Sequence, residues 1–211
     1  MKYKNISSSC DASSRRLEYI QELSTFMDID IYGKCANDSN KNCENNSCDK
    51  EHLSKEYKFY LAFENSVCDG YVTEKFFKIL NNNIIPIVLG GADYSKYVPR
   101  TAYISVLDFE TPRELAAYLI YLNNNQSAYN SYFKWKQWIY VRERNPFQAY
   151  ICEMCIKLHL EKYTGIERKQ LSNLNDYMGM ETNCKGLKVS TVKRFEWLAS
   201  SQYLSMKFFE S

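Results

Sequence analysis

Two stretches carry side chains that can hold and move charge. One is Glu64-Asn65-Ser66, followed by Asp69-Gly70-Tyr71 and then Glu74-Lys75. The other is Arg15-Arg16, behind Cys10-Asp11-Ala12-Ser13-Ser14. Carboxylates, an amide and hydroxyls suit the hydroxyl groups of a sugar or ribose. Lysine and arginine suit phosphate, the first as a point charge and the second as a planar fork. Breaking a bond to a diphosphate leaves negative charge on the departing oxygen, and fixed cations there stabilise the transition state. Many enzymes use a metal for this, often on a D-x-D sequence. Asp28-Ile29-Asp30 has that spacing, but it falls inside a predicted strand rather than on a loop and reads as a coincidental pair. No metal is expected.

These groups need elements to place them. Residues 57–63 form a nearly continuous apolar run, as in a strand buried on both faces. The polar trio Glu64, Asn65 and Ser66 ends it. Asp69 and Gly70 form a turn, and a helix begins near Tyr71, with Val72, Phe76, Ile79 and Leu80 on one face. The trio thus lies at the carboxyl end of a strand, where open α/β sheets bind ligands, and the helix start beside it offers N–H groups to a phosphate. Residues 10–14 read as a loop supplying helix caps. Behind it, Leu17, Ile20, Leu23 and Met27 make a helical face. Arg15 and Arg16 then sit at the end of the helix that disfavours cations. That placement makes sense if an anion sits between; the alternative is a solvated arginine pair.

The remaining elements alternate. Residues 1–9 read as an irregular lead-in. A short strand spans 28–32, broken by Gly33, and a long polar loop fills 34–54. Residues 84–89 form a second buried strand, and Gly90-Gly91 lets the chain turn sharply. Residues 103–106 form a third. Thr111-Pro112-Arg113-Glu114 is a capping box opening a helix through Leu122. Helices follow at 127–138 and 147–160, and the pattern weakens beyond 165. Alternating strands and helices imply an α/β fold, a parallel sheet covered on both faces.

At 211 residues the chain is one domain, or one and a half. A net charge of +2 argues for neither a nucleic-acid binder nor a polybasic membrane surface. No apolar run is long enough to span a bilayer, and no apolar core follows Met1-Lys2-Tyr3-Lys4 as in a signal peptide. The eight cysteines fit disulfides in an oxidising compartment, with buried free thiols in the cytosol as the alternative. Cys152-Glu153-Met154-Cys155 has zinc-ligand spacing but lies in an apolar helical pattern. Cys35, Cys43 and Cys48 could cross-link locally, and the pairing cannot be deduced from the sequence. The sequons at Asn5, Asn37, Asn45 and Asn125 fit a lumenal chain.

The run Phe59 to Ser66, then Gly70-Tyr71-Val72-Thr73-Glu74-Lys75, then Ile84 to Gly90, resembles the signature of the α1,3/α1,4-fucosyltransferases, glycosyltransferase family 10. The likeness continues through Tyr97-Val98-Pro99, Asp108-Phe109, residues 112–119 and Tyr132-Phe133-Lys134-Trp135, covering about residues 10–160. Gly70 stands where many animal members carry Asp. The resemblance implies a Rossmann-like domain, the nucleotide-sugar half of a two-lobed GT-B glycosyltransferase, over residues 1–165, with 166–211 an unmatched tail.

It also implies GDP-fucose as donor, a glycan or glycoprotein acceptor, inversion at the anomeric carbon, no cofactor, and a lumenal place in the Golgi with the membrane anchor upstream. The family carries an Arg three residues before a Tyr, which selects Arg16 before Tyr19. Carried over by motif, Lys75 meets the phosphates with Arg16, and Glu74 binds sugar or ribose hydroxyls. These three form the catalytic set. Tyr71 lines the nucleotide pocket, and Glu64, Asn65 and Ser66 line the same cleft; Glu64 is alternatively a structural acceptor in the turn. The family's general base lies in the N-terminal lobe, and neither His52 nor His159 is placed to replace it. Partners of Cys152 and Cys155 are expected in that lobe too. The chain therefore reads as a fragment or truncated product that should bind donor without robust transfer. A non-catalytic GDP-sugar-binding module, or a transferase of another nucleotide sugar, is the competing reading.

Overall fold

The computed structural model describes residues 3–6, 10–36, 57–141, 146–164 and 184–185. In chain order the elements are β1 (Tyr3–Ile6), α1 (Arg16–Ser24), β2 (Ile29–Tyr32), β3 (Phe59–Phe63), β4 (Val67–Cys68), α2 (Glu74–Phe77), β5 (Ile85–Leu89), β6 (Ile104–Ser105), α3 (Pro112–Asn124), α4 (Gln126–Ser131), α5 (Pro146–Thr164) and β7 (Cys184–Lys185). Five strands form one parallel sheet in the order β2-β1-β3-β5-β6. The chain leaves β1 toward one edge and β3 toward the other, so the order reverses between β1 and β3. That is the switch point at which doubly wound sheets open a crevice for ligands.

All five residues of β3 and of β5 are buried. Their alternation divides the core. Phe59, Leu61, Phe63, Ile85, Ile87 and Leu89 pack with Tyr19, Ile20 and Leu23 of α1 and Leu115 and Leu119 of α3. On the opposite face Tyr60, Ala62 and Val88 pack with Phe76 of α2, Tyr94, Tyr103 and Trp135. Each fully buried Phe, Ile or Leu side chain contributes about 1.5–3 kcal/mol through its removal from water. The expectation of a doubly covered parallel sheet therefore holds.

Several local expectations change. Tyr3–Ile6 is not an irregular lead-in; it is a strand between β2 and β3. Four residues without apolar alternation leave no periodic signal, and the two flanking ladders make the strand. The capping box at Thr111 opens α3 as expected: its hydroxyl accepts from the Glu114 amide at 3.2 Å. The Glu114 carboxylate, however, accepts from the Glu110 amide at 2.9 Å, one residue before the cap. The expected helix over 127–138 divides into α4 and a 3-10 turn at Lys134–Gln137. Asn125 caps α4 by accepting from the Ala128 amide at 3.0 Å. The Tyr129 hydroxyl reaches the carbonyls of Lys58 and Asn83, at 2.9 and 3.1 Å, which pins α4 under the amino-terminal ends of β3 and β5.

Gly90 and Gly91 serve close approach rather than an unusual turn. A Cβ on Gly90 would stand 2.4 Å from the buried Tyr94 hydroxyl oxygen, and one on Gly91 would stand 2.7 Å from the Cys68 carbonyl oxygen. Tyr94 could shift a little; the Cys68 backbone is held in β4. Gly91→Ala is therefore expected to destabilise the fold by about 1–3 kcal/mol, as overpacking does. Urea unfolding of the two proteins measures this, and an unchanged midpoint would refute the contact.

Cys10 pairs with Cys35, which joins the loop after β1 to the segment after β2. Cross-linking of Cys35 within its own loop is thus corrected; Cys43 and Cys48 lie outside the described residues. Cys68 pairs with Cys184, 116 residues away, where β4 and β7 run antiparallel. This ties part of the segment read as an unmatched tail to the centre of the fold; the boundary at 165/166 lies outside the described residues.

Cys152 and Cys155 are free and exposed on α5, and Ile151, Met154, Ile156, Leu158 and Leu160 beside them are exposed as well. Apolar residues surround this helix rather than forming one stripe, so no single face packs it on the sheet. In oxidising conditions the chain is expected to form disulfide-linked oligomers through these two thiols. Non-reducing peptide mapping would show intermolecular links at Cys152 or Cys155; an intrachain Cys152–Cys155 bridge or stoichiometric zinc would refute it.

Candidate active site

The segment before α1 meets the carboxyl end of β3 through hydrogen bonds. The Ser14 amide donates to the Asn65 carbonyl at 2.9 Å, and the Ser14 hydroxyl donates to the Glu64 carbonyl at 2.7 Å. The Ser13 hydroxyl lies 2.8 Å from that of Ser66 and donates to the Asn65 carbonyl at 3.2 Å. Ser13 and Ser14 were expected to cap α1. They bond across the crevice instead, and α1 starts without a side-chain cap.

Arg15 is the residue before α1 and takes a left-handed backbone, φ 51°. A non-glycine residue pays for that conformation, and such residues cluster at functional sites. The turn sends the two arginines in opposite directions. Arg15 is half exposed and ion-paired with Glu18. Arg16 is 1% exposed, and its Nη1 donates to the Phe63 carbonyl at 2.8 Å, the last of β3. Burial lowers the Arg16 pKa, while Glu64, Tyr60 and Tyr71 work against that shift. Arg16 is thus the cation directed inward at the switch point.

Glu64 is fully buried. Its Oε1 accepts from the Thr73 amide at 2.8 Å, and its Oε2 accepts from the Thr73 hydroxyl at 2.7 Å. This is the arrangement of a structural acceptor in the turn. It also explains why the helix expected to start near Tyr71 starts at Glu74. Thr73 is held extended by Glu64, at φ −114° and ψ −176°, and α2 lasts one turn. The Thr73 amide, a donor that a helix start would offer to phosphate, is already taken.

Lys75 Nζ donates to the Thr73 hydroxyl at 3.0 Å and lies 3.6 Å from Glu64 Oε2 and 3.4 Å from Glu74 Oε1. Its side chain is 18% exposed and that of Glu74 58%. Glu74 has its pKa lowered: burial pushes it up, but its own amide, Lys75 and Lys78 outweigh that. Two cations and two carboxylates therefore balance at the site. A diphosphate approaching Lys75 meets an exposed Glu74 that can swing away and a buried Glu64 that cannot.

Tyr71 lies at the rim, 36% exposed. Burial raises its pKa, and Glu64 and Glu74 add to the rise against Arg16. Arg16, Glu64, Asn65, Ser66, Tyr71, Glu74 and Lys75 are thus brought to one crevice. Thr73, which joins Glu64 to Lys75, carried no assigned role in the sequence, although it stands between two residues that did. The Tyr94 hydroxyl, buried against Gly90 and the Glu64 stem, had no sequence signal beyond its apolar neighbours. Asp30 accepts from the Tyr57 hydroxyl at 3.0 Å, and Asp28 lies just before β2. Among the described residues no group of three or more His, Cys, Asp or Glu could hold a metal ion.

The family model for the C-terminal part of glycosyltransferase family 10 (fucosyltransferase) matches residues 2–177. The chain belongs to this family. It is similar to glycoprotein 3-alpha-L-fucosyltransferase A of Drosophila melanogaster, 43% identical over 178 residues, covering 81% of this chain and 33% of that one. It is 36% identical over 138 residues to GDP-fucose protein O-fucosyltransferase 3 of Homo sapiens, covering 62% of this chain and 29% of that protein. A solved α1,3-fucosyltransferase with GDP-fucose matches at TM-score 0.54 and 30% identity, over 63% of this chain and 38% of the other. The chain thus spans about a third of the length of the curated relatives it matches. The residues of the crevice described above all lie within the matched range.

Proposed function

We propose that this chain forms the donor-binding part of an inverting fucosyltransferase, which transfers L-fucose from GDP-fucose in α1,3 linkage to a glycan of a glycoprotein. The observation that carries this reading is the convergence of Arg16, Tyr71, Glu74 and Lys75 on the switch point, in a chain of family 10. In the transfer, the acceptor hydroxyl attacks the anomeric carbon as the bond from that carbon to the β-phosphate oxygen breaks. Lys75 meets the charge that develops on the phosphate, and Arg16 adds positive potential from within. Such fixed charge costs no reorganisation at the moment of reaction. Glu74 takes a sugar or ribose hydroxyl once the phosphate has claimed Lys75, and Tyr71 covers the nucleotide.

The proton of the acceptor hydroxyl needs a base. Glu64 is committed to Thr73, and His159 lies on α5 against Tyr163, 4.9 Å between ring centroids. We assign the base to the acceptor-binding lobe of the two-lobed architecture. We assign the chain to the Golgi lumen, which the Cys10–Cys35 and Cys68–Cys184 disulfides favour. No helix among the described residues is long and apolar enough to cross a membrane.

Calorimetry with GDP, GDP-fucose, GDP-mannose and UDP-sugars tests the donor. GDP and GDP-fucose are expected to bind and UDP-sugars not; folded protein that binds no nucleotide would overturn the reading. Incubation with labelled GDP-fucose and N-acetyllactosamine or chitobiose tests the base. The 211 residues alone are expected to give no more than a trace of product, since a positioned base alone supplies on the order of 10²-fold or more. Robust transfer would place the base among them.

A further inference from the structure

Of the four sequons, only that at Asn125 has all three of its residues among the described ones. Asn5 lies in β1, paired on one side with Ile31 of β2 and on the other with Leu61 of β3. Asn125-Gln126-Ser127 lies at the junction of α3 and α4, where Asn124, Gln126 and Ser127 are exposed. We propose that Asn125 is an N-glycosylation site of this protein, presented by the α3–α4 junction at the edge of the sheet opposite the donor crevice. The proposal rests on the lumenal reading.

The local geometry suits the modification. Asn125 Oδ1 accepts from the Ala128 amide at 3.0 Å and so caps α4. Its Nδ2 donates to the exposed Tyr121 hydroxyl at 3.2 Å. Glycosylation forms a bond from Nδ2 to the anomeric carbon of a lipid-diphosphate-linked oligosaccharide. The bond from that carbon to the diphosphate oxygen breaks, the lipid diphosphate leaves with the electron pair, and the amide gives up one proton. Oδ1 is untouched, so the cap survives. One N–H remains for Tyr121.

The position keeps the glycan off the site. Lys58 Nζ donates to the Asn123 carbonyl at 3.2 Å, and the Tyr129 hydroxyl reaches the carbonyls of Lys58 and Asn83. Those residues precede β3 and β5, so the junction lies at the amino-terminal edge of the sheet. The crevice lies at the carboxyl edge, a five-residue strand and roughly 16 Å away. Tyr121 and Ile120, 52% and 43% exposed, lie beside the sequon and would be shielded by the first sugars.

The test is to secrete the 211-residue chain from animal cells behind an added cleavable secretion leader, release N-glycans enzymatically in heavy-oxygen water, and map peptides and disulfides together. Expected is conversion of Asn125 to a heavy-oxygen Asp. Ser127→Ala should abolish the conversion while keeping the cap, and Asn125→Asp should remove the glycan while keeping the cap acceptor. Both variants should bind GDP like the parent. An unmodified Asn125 in protein whose Cys10–Cys35 and Cys68–Cys184 bridges have formed would overturn the proposal. Reduced cysteines with a bare Asn125 would overturn the lumenal reading, and the proposal with it.

Discussion

Lys75→Ala is expected to weaken GDP binding by roughly ten- to a thousandfold. The lost charge-assisted hydrogen bond accounts for about 1.5–3 kcal/mol, and loosening of the pocket adds to it. The fold should survive, because Lys75 is bonded to side chains of its own loop and packs in neither face of the core. Arg16→Ala should weaken binding over the same range but should also lower stability. It removes a buried side chain and leaves the Phe63 carbonyl without that donor, at a cost of about 1–3 kcal/mol. Arg15→Ala should change little, since its ion pair with Glu18 lies in solvent and is screened there. Calorimetry with GDP on the three variants, beside their unfolding curves, separates binding from stability. Equal and small losses of affinity in all three would show that the phosphates sit elsewhere.

Cys184→Ser is the second large effect. Its partner, Cys68, stands two residues after Ser66 and three before Tyr71, so the bridge holds the loop that carries half of the crevice. Releasing a closure of 116 residues should cost about 2–5 kcal/mol in stability. Part of that loss should appear at the site, because the Thr73 hydrogen bonds to Glu64 and Lys75 depend on the path of residues 68–73. We expect a lower unfolding temperature and weaker GDP binding together, and the same pair of changes on mild reduction of the parent. A variant that melts earlier but binds GDP as well as the parent would show that the bridge serves the fold alone.

Much of this was legible in the residues. The runs 57–63 and 84–89 gave β3 and β5 because strands buried on both faces are apolar throughout. The trio after β3 gave the crevice because open α/β sheets bind ligands at the carboxyl ends of their strands. Arg16 was separable from Arg15 only through the family spacing to Tyr19; the structural cause is the left-handed turn at Arg15, which leaves no trace in composition. Ser13 and Ser14 were read as caps because serine serves caps and cross-loop bonds with the same hydroxyl. The start of α2 was misplaced because the force that delays it, Glu64 on Thr73, acts across nine residues and outside any helical period. β1 was missed because its order comes from its two neighbours rather than from its own side chains.

The long span of the Cys68–Cys184 bridge also sets an order of events. A chain grows from its N-terminus at about 5–20 residues per second. The strands β1 to β6 and the Glu64–Thr73–Lys75 loop all precede Cys184 in the chain and are therefore made before its thiol is available. Roughly 6 to 23 seconds separate the synthesis of Cys68 from that of Cys184. Maturation of the crevice is then a late, oxidant-dependent step, and Cys68 is meanwhile an open thiol that other cysteines of the nascent chain can capture. Nascent protein should pass through a stage with β3 and β5 folded and the donor loop still unfastened, which makes Cys184 the timekeeper of the crevice.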